Sequence, residues 1–152
     1  MTQKSSNILL IYTGGTIGMV EDPETGLLHA FDFDHLLEEI PELNKFDIQL
    51  DVHALEKPLD SSNIGPQSWV EMLEVIESNY EAYHGFVVLH GSDTMAYTAS
   101  ALSFLLENVN KPIIFTGSQL PINKIRTDGK ENIITAIEVA GAYENDKPVV
   151  PE

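Results

Sequence analysis

Two turns constrain this chain more than anything else in it: LLIYTGGTIG, from Leu9 to Gly18, and VVLHGSDTMAYT, from Val87 to Thr98. Each is a short apolar run that stops at glycine and hydroxyl residues and then opens into a helical pattern. Runs of this kind read as strands buried on both faces, as in a parallel sheet flanked by helices. In such sheets ligands bind beyond the carboxyl ends of the strands, where both turns fall. Thr16, Ser92 and Asp93 therefore stand at the place where α/β proteins do chemistry.

The rest of the chain alternates strand and helix. Asn7 to Tyr12 reads as the first strand, followed by a turn-rich loop from Thr13 to Ala30 with the breakers Asp22-Pro23 and Thr25-Gly26. Phe33 to Ile40 reads as a short helix capped by Asp32, and the alternating Asp47 to Leu55 as a half-buried or edge strand. Lys57 to Gly65 is a polar loop. A helix should start at Pro66 and run to about Tyr83, with Trp69, Met72, Leu73, Ile76 and Tyr80 on one face. Gly85 to Leu89 is a buried strand, leading to a helix with Ala96, Ala99 and Leu102 inward. Pro112 to Thr116 is another strand, Gly117 to Gly129 a long loop, and Ile133, Ile134, Ile137 and Ala140 mark a last helix. Asp146 to Val150 has the look of a further strand beginning. A strand this short hardly completes a sheet, so residues 1–152 are expected to be the front part of something longer.

Charge narrows the partners. The 24 acidic residues against 8 basic ones give a formal charge of −16. That balance repels phosphate backbones and anionic lipid, so neither nucleic acid nor a membrane surface is expected as a partner. No segment is a membrane span, and the N-terminus lacks the form of a signal peptide, so a cytoplasmic location is expected. There is no cysteine, and His29, His35, His53, His84 and His90 form no metal-ligand spacing, so neither metal nor cofactor is expected.

The turns admit more than one chemistry. Gly14 and Gly15 let the backbone turn sharply and approach a ligand. Thr16 would be a nucleophile only with a base to take its proton and donors to stabilise an oxyanion, and no base lies within its own turn. The same turn could be a phosphate site or a plain tight turn, although TGGTIG has neither the dinucleotide-binding glycine spacing nor a phosphate-loop lysine. Asp93 reads as a helix cap or as an anionic anchor for a ligand ammonium. His90 reads as a hydrogen-bonded structural residue, and Lys124 and Arg126 near Asp128 as an ion-pair region. Asp60, Ser61 and Ser62 form an ordinary polar loop or, with the other two turns, a cradle for a zwitterionic amino acid. In that cradle Asp93 would take the amino group, Ser61 the carboxylate, and Thr16 would face the side chain.

Together the TGGTIG turn, the DSS loop, GFVVLHGSDTMAYTASALSFLLEN and TGSQLPINKIRTDG resemble the bacterial asparaginase/glutaminase family, and within it the cytoplasmic type I asparaginases. The resemblance implies a flavodoxin-like doubly wound parallel sheet, incomplete at its C-terminal end here, with the family's smaller C-terminal α/β domain absent. It implies hydrolysis of the side-chain amide of L-asparagine to L-aspartate and ammonia, through an ester on the nucleophile. The second Thr of the first motif, the nucleophile, falls on Thr16; the catalytic Thr-Asp pair on Ser92 and Asp93; and the substrate-carboxylate loop on Asp60, Ser61 and Ser62. A homodimer or homotetramer is implied as well.

Three departures follow from the comparison. Ser92 replaces a Thr and loses the methyl that restricts its rotamer. Gly26-Leu27-Leu28 stands where many members carry a mobile-loop Tyr. The catalytic Lys should lie beyond Glu152, so residues 1–152 alone should be nearly inactive. The alternatives are the asparaginase-like subunit of a tRNA-dependent amidotransferase and a non-catalytic amino-acid-binding module.

Overall fold

A computed structural model describes residues 6–30, 36–145 and 147–150. The architecture is a four-stranded parallel sheet with helices on both faces. Its strands are β1 (Ser6–Gly14), β4 (Ile48–Leu59), β5 (Gly85–Leu89) and β6 (Ile113–Thr116), in the order β4-β1-β5-β6. β1 and β5 are interior strands, with Ile8 to Tyr12 paired against Gly85 to Leu89 in unbroken register. This is why both read as continuous apolar runs: each is covered above and below. The side chains alternate between two cores. Ile8, Leu10 and Tyr12 face α1 (Leu36–Glu39) and α4 (Gly129–Gly141), where they meet Leu36, Ile133 and Ile137. Leu9 and Ile11 face α2 (Pro66–Asn79) and α3 (Met95–Leu105), meeting Met72, Ile76 and Leu102.

In chain order the sheet strands run second, first, third, fourth, the start of the flavodoxin-like order. The chain leaves β1 for one side and returns to the other, so the switch point, where folds of this kind bind ligands, lies between the carboxyl ends of β1 and β5. Every sequence-derived candidate for chemistry lies on turns at that end.

Several expectations need correction. The loop from Thr13 to Ala30 contains a 3-10 turn at Thr16–Gly18 and a hairpin of β2 (Met19–Glu21) and β3 (Leu28–Ala30). The expected polar loop at Lys57 begins later, because β4 continues to Leu59; as an edge strand it tolerates Pro58, which cannot donate to a ladder. α2 ends at Asn79 rather than near Tyr83. The inward face of α3 is Thr98 and Leu102, whereas Ala96 is exposed. Val149 and Val150 do not extend the sheet: Lys147–Pro148 (β8) pairs back onto Tyr143–Glu144 (β7) as a two-residue antiparallel ribbon turning at Asn145, φ 52°. Asp32 and Phe33, the expected start of the first helix, lie outside the described residues, and α1 is the single turn Leu36–Glu39. No described helix is long and apolar enough to cross a membrane.

Gly14 marks the end of β1 for a steric reason. Its φ is 134°, and a Cβ there would run into the Leu59 carbonyl of the neighbouring strand. Gly14→Ala is expected to cost about 2 kcal/mol or more, from strain in the positive-φ backbone plus displacement of β4. A lower urea midpoint at unchanged m-value would show it, and a midpoint within error of the parent would refute the close approach.

Candidate active site

Three turns meet at the carboxyl end of the sheet, and glycine makes the meeting possible. A Cβ on Gly15 would lie 2.5 Å from the Cα of Gly91, and a Cβ on Gly91 would lie 2.5 Å from the Ser61 hydroxyl. The turns after β1 and β5 therefore meet backbone to backbone, and the Ser61 side chain, from the 3-10 turn Ser61–Asn63 after β4, packs against Gly91. Gly15 holds φ 85°, a conformation a side chain would strain. Beneath the first turn lies the ring of Tyr12, which occupies the space a Gly18 side chain would need. Burial pushes the Tyr12 phenol up to about 12, so it is protonated at neutral pH.

Hydrogen bonds sort the polar residues around this junction into two groups. The first group holds the fold. Buried Thr13 donates to the Leu89 carbonyl at 2.9 Å, tying β1 to β5 beside the junction. Thr94 donates to the Ser61 carbonyl at 2.6 Å and so fastens the second turn to the third. Asp60 accepts from the Ser62 backbone N–H at 2.9 Å and from the Ser62 hydroxyl at 2.8 Å. These two bonds hold the exposed Asp60 carboxyl below its usual range, the hydroxyl bond being the larger cause. Asp60 and Ser62 thus partner each other on the exposed rim of that turn. In the second group are Thr16, Ser61, Ser92 and Asp93, whose hydroxyls and carboxylate make no hydrogen bond among the described residues. Thr16 is half-buried, Ser92 and Asp93 are exposed, and Ser61 is only 5% exposed.

The cap reading of Asp93 is overturned. α3 begins at Met95 with Thr94 in the N-cap position, and no side chain caps it, because the Thr94 hydroxyl is bound to Ser61. Thr94 was missed in the sequence, and nothing there could have shown it, since the bond spans 33 residues. His90 is structural, as expected: it is wholly buried, with Nδ1 at 2.7 Å from the Gly91 carbonyl and Nε2 at 2.9 Å from the Thr98 hydroxyl. With both nitrogens occupied it is not a base for the crevice. Lys124 pairs with Glu21 at 2.6 Å, as an ion-pair region implies. Asp128 has another partner set. Burial alone would raise its carboxyl, but backbone N–H groups of Gln119 and Leu120 outweigh this and bring it below the usual range. Asn123 adds two bonds to the Glu21 backbone, so the long loop after β6 braces the hairpin that follows Thr16. Among the described residues no group of three His, Asp or Glu side chains is placed to hold a metal.

Glycine turns at the switch point of the sheet, rimmed by uncommitted hydroxyls and one carboxylate, mark an α/β protein whose candidate site lies where such folds bind ligands. Residues 7–150 match the asparaginase N-terminal family, and the chain belongs to it. It is 44% identical over 142 residues to L-asparaginase 1 of Escherichia coli strain K12, covering 93% of this chain and 42% of that protein. The crystal structure of L-asparaginase I from Vibrio cholerae superposes with a TM-score of 0.82 at 40% identity, over 95% of this chain and 43% of that one. The thermostable L-asparaginase from Thermococcus kodakarensis gives 0.81 at 33% identity, over 93% and 42%. The chain therefore spans less than half the length of these relatives.

Burial holds the His90 pKa below its ordinary value, its contact with the Gly91 carbonyl opposing this only in part. The unfolded chain takes up a proton near pH 6.5 that the folded chain refuses, so stability is full above that pH and falls as pH drops toward the folded pKa. Denaturant unfolding at pH 7.5 and 5.5 is expected to show lower stability at 5.5, with His90 titrating below its ordinary range in the folded chain by NMR. A His90 that titrates near 6.5 while folded would contradict the burial argument.

Proposed function

We propose that this chain is the nucleophile-bearing part of an L-asparaginase. One observation carries the reading: the polar groups left uncommitted by the fold, Thr16, Ser61, Ser92 and Asp93, sit on three turns that pack together at Gly91. Free hydroxyls and a free carboxylate around one small crevice match the needs of a zwitterionic amino acid. Membership of the asparaginase family and likeness to L-asparaginases supply the reaction class.

In this reading the Asp93 carboxylate receives the substrate ammonium, and the Ser61 hydroxyl donates to its carboxylate. Asp60 and Ser62 shape that loop. The side-chain amide then faces Thr16. The Thr16 oxygen attacks the amide carbon as its proton passes to a base, with Ser92 holding or relaying the proton. The C–N bond breaks, the nitrogen leaves as ammonia with the proton returned to it, and an aspartyl ester remains on Thr16. Water adds to that ester, L-aspartate departs, and the Thr16 hydroxyl is restored. The base, a lysine in the family, is proposed to lie outside residues 1–152, as is the smaller second domain. Asparagine is the proposed substrate over glutamine, in a cytoplasmic homodimer or homotetramer.

The test is ammonia release by a chimera in which the C-terminal part of the E. coli relative follows Glu152. Turnover of asparagine is expected there, and almost none by the 152 residues alone. Thr16→Val should lower kcat by about three orders of magnitude or more, while Asp93→Asn should chiefly weaken substrate binding. A Thr16→Val chimera that keeps its rate would remove Thr16 from the chemistry. Asparagine binding with no ammonia would favour a binding module, and tRNA binding the amidotransferase subunit.

A further inference from the structure

The wall of the crevice behind Gly91 is a chain of three buried or half-buried polar groups with only one consistent set of donors. Trp69 Nε1 lies 3.2 Å from the Thr98 hydroxyl, which lies 2.9 Å from His90 Nε2, while His90 Nδ1 lies 2.7 Å from the Gly91 carbonyl. An indole nitrogen only donates, and a carbonyl only accepts. Trp69 therefore donates to Thr98, and Nδ1 carries the proton that goes to Gly91. A neutral imidazole then has its lone pair on Nε2, and the Thr98 hydroxyl donates to it. Thr98 and His90 are both 0% exposed, so each of these bonds is made where water cannot replace it. The edge of the His90 ring rests against Phe115, centroids 6.1 Å apart, which limits its freedom to turn.

We propose that Thr98 is a positioning residue: standing between Trp69 and His90, it fixes the imidazole as the Nδ1–H tautomer and so holds the Gly91 carbonyl inward. The amide plane that follows is trans, so a carbonyl held toward the buried ring directs the Ser92 N–H the opposite way, out of the interior. Gly91 is also the residue in contact with both Gly15 and Ser61. Its orientation thus sets the spacing between the Thr16 turn, the Ser61 turn and the Ser92-Asp93 pair. The inference rests on reading this crevice as the asparagine site, but the tautomer it assigns does not depend on that reading.

Trp69 is the sole tryptophan, which gives the chain a built-in optical probe. In the parent chain, imidazole ¹⁵N shifts should show His90 as Nδ1–H only. Thr98→Val leaves Nε2 facing a methyl group; the Nδ1–H population should fall, the Ser92 and Asp93 amide resonances should move, and Trp69 emission should shift. In the asparaginase chimera the same change should lower kcat/KM about twofold to tenfold, the range expected for one hydrogen bond, through kcat as well as KM because the Thr16 and Ser92 turns both shift. Thr98→Ser keeps the hydroxyl and should restore every readout; it also serves if the valine variant folds poorly. A purely Nδ1–H His90 in Thr98→Val, or a changed tautomer with unmoved Ser92 and Asp93 amides, would overturn the proposal. If no chimera turns over asparagine, the resonances still decide the role of Thr98, and only the asparaginase reading fails.

Discussion

Two backbone turns can touch, with a third turn's side chain against them, only where side chains are missing, and the contact of Gly15 with Gly91, and of Gly91 with the Ser61 side chain, is that point. A methyl group on either glycine would fill space already held by the neighbouring chain. Opening the junction by even an ångström would separate the uncommitted hydroxyls of Thr16, Ser61 and Ser92, and misplacement on that scale would be costly to the proposed reaction, which depends on orientation. The remaining features of the crevice follow from this contact. Thr13 ties the strands just before it, Thr94 ties the turns just after it, and the Tyr12 ring supports the Thr16 turn from below.

The contact is held by a core that is closed on both sides. β1 has strands on either side and helices above and below, so Ile8, Leu10 and Ile11 are all wholly buried. Burying a side chain of this size stabilises a fold by about 1.5–3 kcal/mol. Because β1 and β5 keep register from Ile8↔Gly85 to Tyr12↔Leu89, their ends arrive together. Register is strongly specified here: a slip of one residue would exchange the side chains of the two cores. The fit of β1 side chains into the two cores thus decides, several residues away, that Thr16 and Ser92 leave the sheet side by side.

What the sequence made legible was the part governed by local rules. Buried apolar runs located β1 and β5, Pro66 located the start of α2, and glycine-hydroxyl stretches located the turns that pack together at the end of the sheet. The missed features all depend on partners distant in the chain. β4 continues through Pro58 because it lies at an edge, which composition alone does not reveal. The β2–β3 hairpin is braced by Asn123 and Lys124, about a hundred residues onward. Asp93 has the residue type and place of a helix cap, but the helix starts later, since Thr94 is drawn to the Ser61 carbonyl instead.

The same distinction separates residues that build the crevice from residues free to act in it. Sequence alone offers Thr13, Thr16, Ser61, Ser62, Ser92, Thr94 and Thr98 as similar hydroxyls near strand ends. In the fold, Thr13 is bound to Leu89, Ser62 to Asp60, Thr94 to Ser61 and Thr98 to His90. A hydroxyl already donating to a buried carbonyl or imidazole loses that bond if it turns to a substrate, at a cost of about 1–3 kcal/mol for the group left behind. Thr16, Ser61 and Ser92 carry no such penalty. Groups of both kinds lie close together along the chain: Thr13 anchors and Thr16 is uncommitted, Ser92 is uncommitted and Thr94 anchors. Each uncommitted group is thereby held within three residues of a fixed one, which gives a mobile hydroxyl a defined place without tying up its hydrogen bond.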